Sequence, residues 1–148
     1  MGLITAADVR ALAKWSAKIA DADLAPHLAS AARAMKLRCE AVVEGLYADL
    51  CDPYTERPAD DNLCAKEVEA CLAIALALPS FNSFILADGP VVPKQIEDQD
   101  YQFLTPEQVE KQVAVWRKRA DDAFDSWQWV EPANDDEASA AEKRWFAI

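Results

Sequence analysis

The chain has 148 residues, 52% of them hydrophobic, and a formal net charge of −11. That length suits one domain with a real core, and the apolar fraction excludes an intrinsically disordered chain. The acid excess argues against a nucleic-acid grip, which needs a basic surface, yet it admits a basic protein partner, or a ring whose lumen repels DNA so that DNA slides through.

Three glycines and an abundance of Ala, Leu, Glu and Lys point to an all-α fold. The expectation is a small bundle of about four to five helices. It has one long C-terminal helix, an extended loop before it and a short tail helix. Residues 1–130 form the helical domain and residues 131–148 a C-terminal docking tail.

Taken in order, Thr5-Ala6-Ala7-Asp8 reads as a capping box that starts a short helix over about residues 6–15. Val9, Leu12 and Trp15 face inward. Arg10, Lys14 and Lys18 make the other side basic, either as a solvated face or as a contact for an acidic neighbour. Asp21-Ala22-Asp23 reads as a break. A second helix begins near Leu24, with Pro26 tolerated in its first turn. The stripe Leu28, Ala31, Ala32, Met35, Cys39 continues through Val42, Val43, Leu46, Tyr47 and Leu50. It fits one helix, or two joined near residues 38–41, with Gly45 a weak point worth about 1 kcal/mol against Ala.

Residues 52–62 hold two prolines and a run of acids, which marks an exposed loop. A third helix is capped within residues 60–62. It is apolar all round from Ala70 to Leu78, so it should be the most buried. Pro79 kinks or ends it, and Phe81, Phe84, Ile85 and Leu86 extend it by a turn or two. Residues 87–104 form a long irregular stretch. Loops of that length are usually functional or disordered, and Val91, Val92, Ile96, Tyr101 and Phe103 make it too apolar for a disordered tail. It should cover something or lie on a neighbour.

The strongest helix signal spans residues 105–129. Thr105-Pro106-Glu107-Gln108 is a second capping box with Pro at the first helical position. Val109, Val113, Trp116, Ala120, Phe124 and Trp127 follow at steps of three and four. Glu110, Lys111, Arg117, Lys118, Asp121 and Asp125 line the opposite side. This helix is expected to be the mast against which the others pack. A hinge at residues 131–136 leads to a last helix ending Trp145-Phe146-Ala147-Ile148. That aromatic end either folds back onto the core or docks on a partner.

No catalytic fingerprint stands in the chain: no phosphate-binding Gly-rich loop, no His-Glu-x-x-His, no Gly-x-Ser-x-Gly. The lone His27 reads as a surface or cap residue in a first helical turn, since it would have to find catalytic partners unaided. Cys39, Cys51, Cys64 and Cys71 lack metal-ligand spacing and read as reduced, apolar core residues. Residues 49–52 and 60–62 can touch a cation weakly but lack calcium-loop spacing. The Trp and Phe stripe reads as core and not as a base-stacking platform. No cofactor, metal or catalytic residue is expected. With no basic n-region and no long apolar run, the sequence shows neither a signal peptide nor a membrane span, which suggests a cytosolic protein.

The order of parts carries a resemblance. Leu3-Ile4-Thr5 and Asp8 lead into a short helix, and an Ala-rich helix follows with Leu37-Arg38 and then Leu46-Tyr47 and Leu50. Next come an acidic loop, a buried helix, the Gly89-Pro90-Val91-Val92 turn and a final long helix. Over most of residues 3–130 this resembles the small helical head–tail connector (adaptor, or head-completion) proteins of tailed bacteriophages. Residues 131–148 lie outside the similarity, and Pro79 and Trp127-Gln128-Trp129 depart from it.

The resemblance implies a non-enzymatic virion neck protein, made in the host cytoplasm. It forms a ring of copies under the portal, twelve-fold by that analogy, through contacts that close on themselves. Its partners are its own copies, the portal and the next neck or tail-completion protein. DNA passes through without sequence-specific binding, and no membrane is involved. Terminal segments and loops reach these neighbours, which here implicates Val91, Val92, Ile96, Tyr101, Phe103, Trp145, Phe146 and Ile148. Two other classes compete: a monomeric acidic regulator or inhibitor that masks a basic partner, and a small enzyme, which needs a polar cleft with perturbed carboxylates.

Overall fold

A computed structural model describes residues 2–15, 19–87 and 105–129, with the side chains of residues 82–87 left aside. These residues form five helices and no strand: α1 (Ala6–Ala13), α2 (Asp21–Val42), α3 (Leu46–Cys51), α4 (Ala59–Ala87) and α5 (Pro106–Ser126). The all-α class follows the sequence expectation. The tail helix and the long loop expected from the sequence fall on residues outside those described, apart from Ala87, which belongs to α4.

Both capping boxes form. The Thr5 side chain accepts from the Asp8 N–H while the Asp8 carboxylate accepts from the Thr5 N–H at 2.7 Å. Thr105 and Gln108 repeat the exchange, with Pro106 at the first position of α5. Each box satisfies backbone donors that a helix start otherwise leaves open.

The centre of the bundle is α4, not α5. At 29 residues it is the longest helix, and every other helix packs on it. Val68, Cys71, Ile74 and Ala77 are fully enclosed, as expected for a run apolar all round. By contrast, among the described helices α5 packs along α4 alone, with a single ion pair reaching α2. Val109, Ala120 and Phe124 are buried, Val113 and Trp116 are half-buried, and most of the remaining circumference is open. A helix with a single apolar stripe can be covered from one side only, which is why it lies on the outside of the bundle.

Three boundaries differ from the sequence reading. The break expected at residues 21–23 is the first turn of α2, where Asp21 and Asp23 favourably face the helix N-terminus. Pro26 therefore sits in the second turn. The join between α2 and α3 falls at residues 43–45, not at 38–41. Gly45 adopts φ +75° there, ahead of α3. It is not a weak point inside a helix; it takes the left-handed conformation that the reversal needs. Finally, α4 begins at Ala59 and passes through Pro79 to Ala87. A proline inside a helix costs about 3 kcal/mol. Burial of Ile74, Ala77 and Phe81 on either side of it offsets that cost.

Candidate functional site

The contact residues expected from the sequence, Val91, Val92, Ile96, Tyr101, Phe103, Trp145, Phe146 and Ile148, all lie outside the described residues. Within them, the polar chemistry gathers at two buried carboxylates and one buried guanidinium, none of which periodicity singled out.

Glu69 is fully enclosed at mid-length of α4. It sits four residues after Ala65 and three before Leu72, both buried, so the helix period carries it onto the core face. One carboxylate oxygen accepts from the Leu3 N–H and the other from the Tyr47 hydroxyl, each at 2.9 Å. Burial pushes the carboxyl up from its ordinary value, and the bonds from Tyr47 and Leu3 pull it back. The same burial, reinforced by Glu69, drives the Tyr47 phenol far upward. Gly2 lies against this site: a β-carbon there would stand 2.3 Å from Glu69 Oε1. Glu69 is thus the fastening point for the segment that enters α1.

Asp61, in the first turn of α4, is 1% exposed. Its Oδ1 accepts from the Trp127 indole N–H at 2.7 Å, and its Oδ2 accepts from the Arg57 guanidinium at 3.1 Å. The Arg57 side chain, itself 2% exposed, also reaches Asp49 at 3.6 Å. Asp49 and Asp61, one from each of the two stretches read as weak cation contacts, thus both face a cation the chain supplies itself. Trp127, expected to extend the α5 stripe, lies just past the helix end. There it tethers that end to the start of α4.

The remaining polar links are peripheral. Arg38 pairs with Asp121 at 2.6 Å and joins α2 to α5. Arg119 pairs with Glu67 at 2.7 Å. Arg10 pairs with Asp21 and donates to the Ile19 carbonyl, so it closes the α1–α2 connection and is not a free basic face. Lys14 is the left-handed residue that ends α1. His27 is half-buried with its ring edge-on to Phe81 at 5.8 Å; it lies in the second turn of α2, not the first, and packs instead of capping.

All four cysteines are free thiols. Burial raises Cys39 to about 12 and Cys71 to about 11, which makes them inert core groups, as their spacing suggested. Cys64 is half-buried, and its thiol donates to the Ala123 carbonyl at 3.4 Å across the α4–α5 seam. Cys51 is exposed. Among the described residues no group of three or more His, Cys, Asp or Glu stands close enough to hold a metal ion, and no described helix is long and apolar enough to cross a membrane.

The surface carries two kinds of feature. A shallow groove of about 540 Å³ runs along α5, lined by Val115, Lys118, Arg119, Asp122, Ala123 and Ser126. Large apolar side chains stand in solvent at Leu37, Val42, Tyr54, Leu63 and Val115. No family model, curated protein or solved structure matches the chain.

Proposed function

We propose that this chain is a structural connector of the head–tail type it resembles. It assembles with copies of itself, binds the portal on one side and the next neck protein on the other, and takes no part in catalysis. The observation that carries this reading is where apolar surface remains. Leu37 on α2, Tyr54 between α3 and α4, Leu63 on α4 and Val115 on α5 are each more than half exposed. They stand on four different parts of the fold, and among them Val115 alone lines the described groove. The enclosed acids support the same view. Glu69 and Asp61 are both committed to donors within the chain, so they serve the fold and neither is free to act as a general acid or base. The net charge of −11 suits a channel wall along which DNA slides without being gripped.

Light scattering on a mixture of the chain with portal rings of the same phage tests this. The expected result is a complex that carries many copies per portal. A chain that stays at its 16.3 kDa monomer mass beside unchanged portal overturns the reading. One-to-one binding to a basic protein would instead identify an acidic inhibitor.

A further inference from the structure

We propose that one copy of the chain docks its Tyr54 turn onto the outward face of α2 around Leu37 in the next copy. The inference rests on the connector reading and specifies the contact between copies that such an assembly needs.

Tyr54 and Leu37 are the most exposed large apolar side chains described, at 91% and 74%. The Tyr54 turn is fixed on both sides. Before it, Asp52 Oδ1 accepts from the Tyr54 N–H at 2.9 Å and Oδ2 accepts from the Thr55 hydroxyl at 3.1 Å. The Thr55 N–H also donates to the Asp52 carbonyl at 3.3 Å. After it, the enclosed Arg57 side chain is held by Asp61 and Asp49. Tyr54 is therefore presented by an ordered turn, and little further ordering is needed on docking. A tyrosine displayed this way is a typical anchor of a protein interface.

Leu37 points away from the bundle. Met35 and Cys39, two residues to either side, are fully enclosed, and two residues turn a helix by about 200°. The opposite face of α2 is thus the free one.

Charge pairs the two patches. Tyr54 lies between the exposed Asp52 and Glu56, while Leu37 is flanked by the exposed Arg33 and Lys36 and by the exposed Glu40, whose carboxylate accepts from the Gly45 N–H, so the bases outnumber the acid on this face. Neither Arg33 nor Lys36 forms an ion pair with a described acid, whereas Arg10, Arg38, Arg57, Lys118 and Arg119 all do. Two Tyr54 turns brought together would oppose like charges. A Tyr54 turn brought to a Leu37 face aligns unlike ones, so the contact joins different patches and repeats from copy to copy.

The test uses the full chain, unlabelled and ¹⁵N-labelled in equal parts. A zero-length carbodiimide joins touching lysine and carboxylate side chains, and mass spectrometry reads the linked peptides. Mixed-isotope links from Lys36 to Asp52 or Glu56 are expected. Tyr54→Ala, which leaves the fold intact because the side chain is in solvent, should weaken self-association at least about tenfold by sedimentation. Lys36→Glu and Glu56→Lys chains should each fail to extend alone. Mixed, they should extend again as alternating copies, because the reversed turn of one meets the reversed α2 face of the other and the two unaltered patches meet likewise. Assemblies without these links overturn the contact while leaving the connector reading in place. A chain that never self-associates also overturns it, and the connector reading is then decided by portal binding.

Discussion

Replacing Tyr47 by Phe removes one hydroxyl and leaves the ring that packs beside α4. What it takes away is the donor to one oxygen of the enclosed Glu69 carboxylate, 2.9 Å distant. A hydrogen bond to a charged group contributes about 1.5–3 kcal/mol, and the orphaned oxygen has no water to turn to. Tyr47→Phe should therefore cost about 2 kcal/mol. Glu69→Gln keeps the shape and removes the charge. Its amide oxygen can accept from Leu3, and its amide nitrogen can donate to the Tyr47 hydroxyl. In that background Tyr47→Phe should cost only about 1 kcal/mol, leaving a coupling of about 1 kcal/mol between the two positions.

The pH dependence has a defined sign. The folded carboxyl is raised above its ordinary value of 4.5 by burial. The folded chain therefore holds that proton more tightly than the unfolded one. The resulting stability is fully present below the unfolded value and is lost as pH rises through the raised folded value. Across that window the wild type should gain on Glu69→Gln as pH falls, and the difference should be flat above it. Urea denaturation followed by tryptophan fluorescence measures all of this. Tyr47→Phe within about 0.5 kcal/mol of wild type in both backgrounds would refute the reasoning.

Three further outcomes follow from the same geometry. Gly45→Ala should destabilise the chain by about 1 kcal/mol in urea melts: its φ is +75° and no atom beyond the adjoining residues lies within 4 Å of the added carbon, so strain and not collision is the cause. Trp127→Phe should cost about 1.5–3 kcal/mol and raise amide exchange at the end of α5, because Asp61 loses the indole donor it accepts from at 2.7 Å. Iodoacetamide at pH 8, read by mass spectrometry, should label the exposed Cys51 in the native chain. It should reach Cys39 and Cys71 only after unfolding, since both are enclosed and raised to about 12 and about 11.

The parts of the fold that rest on neighbours in sequence were legible. The two capping boxes involve residues three apart, and the depth of α4 shows as an unbroken apolar run. What escaped was decided by distant partners. Periodicity gives α5 the cleanest stripe, yet a single stripe marks a helix covered from one side, and the fully apolar one takes the centre. Pro79 stays within α4 because tertiary packing outweighs a local defect. Glu69 answers to Leu3 and Tyr47, and Asp61 to Trp127 at a separation of 66 residues. No spacing rule links such pairs, although an acid on the core stripe of α4 was the available signal. The surface residues expected to meet partners all fall outside the described residues. The exposure of Tyr54 and Leu37 was not legible either, because a lone exposed apolar residue has no sequence signature.

Electron-microscopic averaging of the chain mixed with portal rings of the phage proposed to encode it tests the central claim most directly. The account predicts an added ring, coaxial with the portal and sharing its rotational symmetry. Portal rings indistinguishable from those imaged alone, with every copy of the chain left free, would contradict it.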